Sequence, residues 1–289
     1  MDVSERIEKA LEGAFARAAA DAPPPKLVAA MRHAVFPGGA RVRPQLCLAV
    51  AEACGGDAPE LTDAAAAAIE LLHCASLVHD DLPCFDDAPT RRDQPSVQAA
   101  YGEALAVLAG DALIVLAFET LVIAGANHPQ RLSPLHAVIT RAVGMPSGII
   151  AGQAWESEPD ASPEAYRRAK TGSLFVAATV VGAIAAGVDA DDWRALGQKL
   201  GEAYQVADDL LDTIARAEDA DKPVGRDAAL GRPNTVAELG VPGAVARLES
   251  LIAAAIESIP PCRGAAALRE LVGLQARRLA PKRLLRSAA

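Results

Sequence analysis

Four carboxylates, Asp80, Asp81, Asp86 and Asp87, fall within the short stretch His79-Asp80-Asp81-Leu82-Pro83-Cys84-Phe85-Asp86-Asp87, at the polar end of an apolar, alanine-rich segment. Neighbouring carboxylates repel, raise one another's pKa and stay ionised together only where cations or water compensate. A second cluster, Asp208-Asp209-Leu210-Leu211-Asp212, repeats the arrangement 128 residues later. Either cluster alone reads as solvated acids at a helix end; the pair points to a shared ligand. Basic side chains follow both: Arg91 and Arg92 after the first, Lys222, Arg226 and Arg232 after the second. Acids and bases so arranged suit a diphosphate held through divalent cations. Mg2+ takes oxygen ligands and commonly joins one or two carboxylates to phosphate oxygens. The bound metal inverts the local charge logic, and lysine or arginine contacts the phosphate oxygens that remain.

Two other metal chemistries fit less well. Glu70-Leu71-Leu72-His73 is an ExxH of the di-iron bundle type, but such a site needs a second ExxH and two further glutamates, and the chain has this one ExxH alone. His73, Cys74, His79 and Cys84 match no compact zinc spacing.

The chain that positions these groups has 289 residues and no stretch that reads as a linker, so one domain over 1–289 is expected. Three Tyr, five Phe and two Trp are too few for the aromatic and β-branched runs of a sheet, and the expected class is all-α. A net charge of −9 disfavours nucleic acid and anionic membrane surfaces as bulk partners. The five cysteines, Cys47, Cys54, Cys74, Cys84 and Cys262, are odd in number and form no CxxC, as expected of reduced thiols in the cytoplasm. No signal-peptide pattern opens the sequence. The longest uncharged run, Thr171 to Val188, is at the short limit for a membrane span and reads as a buried or subunit-facing helix rather than a transmembrane segment.

Periodicity predicts a first helix through Val3, Ile7, Leu11 and Phe15, ended by the prolines at 23 to 25, and a second over Leu27 to Val35. The turn Pro37-Gly38-Gly39-Ala40-Arg41-Val42-Arg43-Pro44 then brings two arginines into a third helix. Thr62-Asp63 is the expected cap of the helix leading to the first acidic cluster. On that helix Ile69, His73, Ser76 and Asp80 share a face, and Pro83 is expected to end it. Apolar helices are expected from about Glu103 to Ala124 and from about Pro134 to Val143. Ser162-Pro163-Glu164 starts the helix carrying Lys170-Thr171. Asp191-Asp192 starts the helix expected to end in the second cluster, with Gln205, Asp208 and Asp212 on one stripe.

Taken together, several ordered motifs resemble those of the trans-type polyprenyl diphosphate synthases. They are Gly38-Gly39-Ala40-Arg41-Val42-Arg43-Pro44, Asp80-Asp81 and Asp86-Asp87 with Arg91-Arg92, Lys170-Thr171-Gly172, and Gln205-Val206-Ala207-Asp208-Asp209-Leu210-Leu211-Asp212. The resemblance covers nearly the whole chain. It is nearest to the short-chain geranylgeranyl diphosphate synthases of purple-bacterial carotenoid and bacteriochlorophyll pathways.

That resemblance implies a helical bundle of the isoprenoid synthase type, a central cavity with the two aspartate motifs facing across it, and a homodimer. It implies Mg2+ at Asp80, Asp86 and Asp208, three ions once substrate is bound, with Mn2+ as a substitute. Asp81, Asp209 and Asp212 complete the acidic site. Arg91, Lys170, Thr171, Gln205 and Lys222 would hold the allylic diphosphate, while Arg43, His73 and Arg92 would hold isopentenyl diphosphate. Three positions depart from the pattern. Ala40 stands where the family has lysine, which removes one contact to isopentenyl diphosphate; Asp93 replaces a glycine; and Arg232 replaces a later lysine. The growing tail is expected to run down from the first cluster, so Ala75 and Ser76, about one turn before Asp80, would form its floor. Both are small where related farnesyl-producing enzymes carry an aromatic at the first position, which implies geranylgeranyl diphosphate as product. The alternatives are a farnesyl diphosphate synthase and a non-catalytic regulatory subunit on the same fold. The second aspartate motif and the second basic set disfavour terpene cyclases and head-to-head synthases.

Overall fold

Apolar residues at helical spacing fold as helices along most of the chain. The computed structural model describes residues 2–56, 58–160, 162–218 and 234–279. It carries α1 (Val3–Ala18), α2 (Pro25–Val35), α3 (Val42–Ala53), α4 (Pro59–Asp80), α5 (Val97–Tyr101), α6 (Glu103–Gly125), α7 (Pro129–Val143) and α8 (Ile149–Ala154). There follow α9 (Pro163–Arg167), α10 (Ser173–Ala185), α11 (Arg194–Glu218), α12 (Thr235–Glu257) and α13 (Ala265–Leu279). Among the described residues the strands are β1 (Thr90–Arg91) and β2 (Gln94–Pro95), a small antiparallel hairpin with Arg91 opposite Gln94. The protein is all-α, as its composition predicts.

Three boundaries differ from expectation: α7 begins at Pro129, with Pro134 inside it rather than at its start, and two others differ for local reasons. α4 begins at Pro59, not behind a Thr62-Asp63 cap: proline takes the first position, where its missing N–H costs nothing. Thr62 is buried and donates to the Ala58 carbonyl at 3.0 Å, and Asp63 pairs with Arg6 of α1 at 2.5 Å. α11 does not end at the second acidic cluster but continues to Glu218, so Asp208 and Asp209 lie within a helix.

The chain divides into two compact units, Met1–Thr140 with Val180–Asp189, and Arg141–Thr179 with Ala190–Ala289. In the first, α4 packs on α6 and α3. Leu61, Ile69, Leu71 and Leu72 are fully buried, each worth ~1.5–3 kcal/mol of apolar burial. The alanines from 64 to 68 are buried too, and their small side chains let neighbouring helices approach closely. In the second, Ala203, Val206, Ala207 and Leu210 of α11 pack with Ala244, Leu248 and Leu251 of α12. α10, within the uncharged run singled out above, is buried through Leu174, Phe175, Val180 and Val181. By length and composition alone α4, α6 and α12 could cross a membrane; 78% of the apolar window of α4 is buried in the protein, against 44% for α6. The exposed face of α6 shows Val107, Leu108, Val115, Val122 and Ile123.

Candidate functional site

The first group of site residues is built by the end of α4. Pro83 has no N–H to continue the helix, and the chain folds back in a run of turns. The amide of Asp86 donates to the Asp80 carbonyl at 2.8 Å, that of Asp87 to Leu82 at 3.0 Å and that of Ala88 to Asp81 at 3.1 Å. This brings Asp86 beside Asp80, both half-buried. Asp81 is different. It is only 2% exposed and is gripped by Arg91, whose Nε lies 3.0 and 3.3 Å from its two oxygens and whose Nη2 also donates to it. Burial pushes the Asp81 carboxyl up, and the Arg91 contact pulls it back. The motif's acids are thus divided: Asp80 and Asp86 are half-buried, while Asp81 is buried and anchors the hairpin that carries Arg91 and Arg92.

Arg92 donates to the Gly38 carbonyl and lies against Gly39, where an added Cβ would come 3.0 Å from its Cζ. The glycine turn and the hairpin are therefore one assembly, tied also to α2 by His33, whose Nε2 is 2.7 Å from the Pro95 carbonyl. His73 sits on α4 two turns before Asp80. Burial, and then the charges of Arg43 and Arg92, hold its imidazole well below the ordinary histidine range. It is neutral there and carries one N–H. Ala75 is buried, at 1% exposure, and Ser76 spends its hydroxyl on the His73 carbonyl at 2.8 Å.

The second group is built around a π-helical turn, Arg168–Gly172, between α9 and α10. Two glycines admit its backbone. A Cβ on Gly152 of α8 would stand 2.5 Å from the Lys170 nitrogen, and one on Gly201 of α11 would stand 2.8 Å from the Gly172 Cα. Ser162 caps α9, accepting from the Ala165 amide at 3.4 Å. Lys170 Nζ lies 2.5 Å from Glu156 Oε1, which also accepts from the Tyr166 hydroxyl at 2.8 Å. Thr171 donates to Gln205 Oε1 at 2.9 Å, Gln205 Nε2 donates to Asp209 Oδ1 at 3.2 Å, and the Thr235 amide donates to Asp209 Oδ2 at 2.7 Å. A single relay therefore runs from Lys170's neighbour to the start of α12. Asp209 is buried inside it, while Asp208 is exposed and Asp212 follows one turn later on α11. Lys222 and Arg232, like Arg226, lie outside the described residues.

Sequence reasoning missed two participants. Glu156 holds Lys170 from fourteen residues away in sequence. Arg167 Nη2 stands 3.8 Å from both Asp209 Oδ2 and Glu238 Oε1; its Nε and Nη2 are buried and make no hydrogen bond among the described residues. The signal available was its position one helical turn before Lys170. Among the described residues no three His, Cys, Asp or Glu side chains form a self-contained metal site. Asp80 and Asp86, brought near one another by the fold of the loop, are carboxylates of the hard-oxygen type that Mg2+ takes.

The profile of the family described as polyprenyl synthetase matches residues 24–257. The chain is 54% identical over 281 residues to a protein of Cereibacter sphaeroides named geranylgeranyl diphosphate synthase, covering 97% of this chain and 98% of that one. It is 51% identical to the protein of the same name in Rhodobacter capsulatus, covering 96% of each. Among solved structures it is similar to an FPP/GFPP synthase from Zymomonas mobilis, with TM-score 0.78 and 30% identity over 95% of this chain and 98% of that one. It is also similar to a geranyltransferase from Legionella pneumophila, with TM-score 0.80 and 28% identity over 95% and 94% of the two chains.

Proposed function

We propose, for a chain that belongs to the polyprenyl synthetase family, that it condenses isopentenyl diphosphate with allylic diphosphates and stops at geranylgeranyl diphosphate. The observation that carries this reading is the 54% identity, across 97% of the chain, to a protein of that name, with both aspartate motifs intact in this sequence. In the reaction the allylic C–O bond breaks and diphosphate departs with the electron pair. The isopentenyl double bond attacks the allylic carbon, and loss of a proton leaves a new double bond. Asp80, Asp86 and Asp208 are the residues that would hold Mg2+, which when bound would neutralise charge on the departing diphosphate. Lys170 and Arg91 would contact that leaving group once its phosphate oxygens compete with Glu156 and Asp81 for them. Thr171 and Gln205 offer it hydrogen bonds. Arg43, neutral His73 and Arg92 bind the second diphosphate. Apolar walls keep water from the cation, and Ala75 leaves room below it for a longer tail.

The exposed stripe of α6 is the surface we assign to a second copy of the chain. Asp111 and Glu119 are exposed on the same helix, and carboxylates there would be costly against hydrocarbon, whereas at a protein interface they can be paired.

The reading is tested by incubating the protein with isopentenyl diphosphate and dimethylallyl, geranyl or farnesyl diphosphate, with Mg2+ or with a chelator. Condensation that needs the cation is expected. No condensation with any starter would defeat the reading.

A further inference from the structure

Arg41 lies inside the glycine turn, and the proposed reaction gives it no task. Its φ is 47°, a left-handed conformation that a non-glycine residue keeps only when its surroundings impose it. Its side chain is 5% exposed. Nε donates to Glu8 Oε1 at 2.9 Å, Nη1 to Glu70 Oε1 at 2.7 Å, and Nη2 to the Val35 carbonyl at 2.8 Å and to Glu8 Oε2 at 3.4 Å. One guanidinium thus joins α1, the end of α2 and α4 to the turn. With two carboxylates on it and its nitrogens turned inward, it is no ligand for a phosphate. Its neighbours in sequence are another matter: Arg43 lies two residues on, and Glu70 precedes His73 by three residues, one turn of α4.

We propose that Glu8, Arg41 and Glu70 form the positioning device of the isopentenyl diphosphate site, fixing the turn that carries Arg43 against the helix face that carries His73. The inference rests on the functional reading above. It follows from three features. Arg92 also depends on this turn, through its bond to the Gly38 carbonyl. Ala40 leaves the turn without a lysine, so the remaining contacts have no substitute. Lysine at position 41 could not reproduce the fork that reaches three segments at once.

Initial-rate kinetics on the full chain, with each diphosphate varied in turn, test the proposal. Arg41→Lys is expected to raise the KM for isopentenyl diphosphate about tenfold, the scale of a displaced binding group, with the allylic KM within about twofold of wild type. Equal increases in both constants, or no change in either, would overturn it. If Arg41→Lys does not fold, Glu8→Gln weakens the half-exposed arm of the same network. It should show the same split at about threefold, and equal changes or none would again overturn the proposal. A wild-type chain that condenses nothing defeats the functional reading itself, whereas an active wild type whose variants show no split defeats only the positioning role.

Discussion

At the scale of single residues, identical side chains acquire different duties from what surrounds them. Asp80, Asp81 and Asp86 look alike in the sequence. The fold separates them by returning Arg91 through a hairpin onto the buried Asp81, a tertiary event that no local pattern encodes. The charge state of His73 was not legible in the sequence; burial and the nearby arginines decide it. Its pKa is lowered in the folded protein, so below the unfolded value of about 6.5 the unfolded chain binds a proton that the folded chain refuses. Stability is therefore lost as pH falls from about 6.5 towards the folded value, by of order 1 kcal/mol per pH unit. His73→Gln should flatten that part of the curve. Thermal unfolding at about pH 5.5 and about pH 7.5 checks this, and an equally steep fall in the variant would count against it. Asp209→Asn removes the charge facing Arg167 and weakens the bond to the Thr235 amide. We expect a loss of about 1–3 kcal/mol in a denaturant titration, together with a raised KM for the allylic diphosphate, because Gln205 loses its orienting partner.

At the scale of elements, helix existence was legible from spacing and helix ends less so. Thr62 was a plausible cap by type but is buried one turn inside α4, because Pro59 supplies an earlier start. The end assigned to α11 at the second cluster failed because acids inside a helix look the same as acids at its end. The π-helical turn at Arg168–Gly172 could not be foreseen: its extra residue is accommodated by close contacts with Gly152 and Gly201, which lie far off in sequence. Gly201→Ala would place a methyl 2.8 Å from the Gly172 Cα, where only backbone can yield. We expect kcat to fall about tenfold with the KM for isopentenyl diphosphate nearly unchanged, since Lys170 and Thr171 are displaced and Arg43 and His73 are not. Steady-state kinetics with each substrate varied would show this, and a variant with wild-type kcat would contradict it.

At the scale of the whole molecule, composition foretold an all-α protein, and ordered motifs pointed to the family. What the sequence left hidden was the apolar stripe of α6. Its apolar residues run nearly all round the helix, and only burial distinguishes the inner face at Leu113, Leu116 and Leu121 from the outer one at Val115 and Val122. Val115, 67% exposed, is the most open of these. Val115→Glu should halve the mass measured by sedimentation equilibrium if a second copy covers the stripe; an unchanged mass would remove that assignment. The central claim concerns the product. Wild-type enzyme given farnesyl and isopentenyl diphosphates with Mg2+ should yield geranylgeranyl diphosphate as its end product when chain length is sized by chromatography. Ala75→Tyr, starting from dimethylallyl diphosphate, should stop at farnesyl diphosphate. Failure of the wild type to extend any allylic diphosphate would contradict the account.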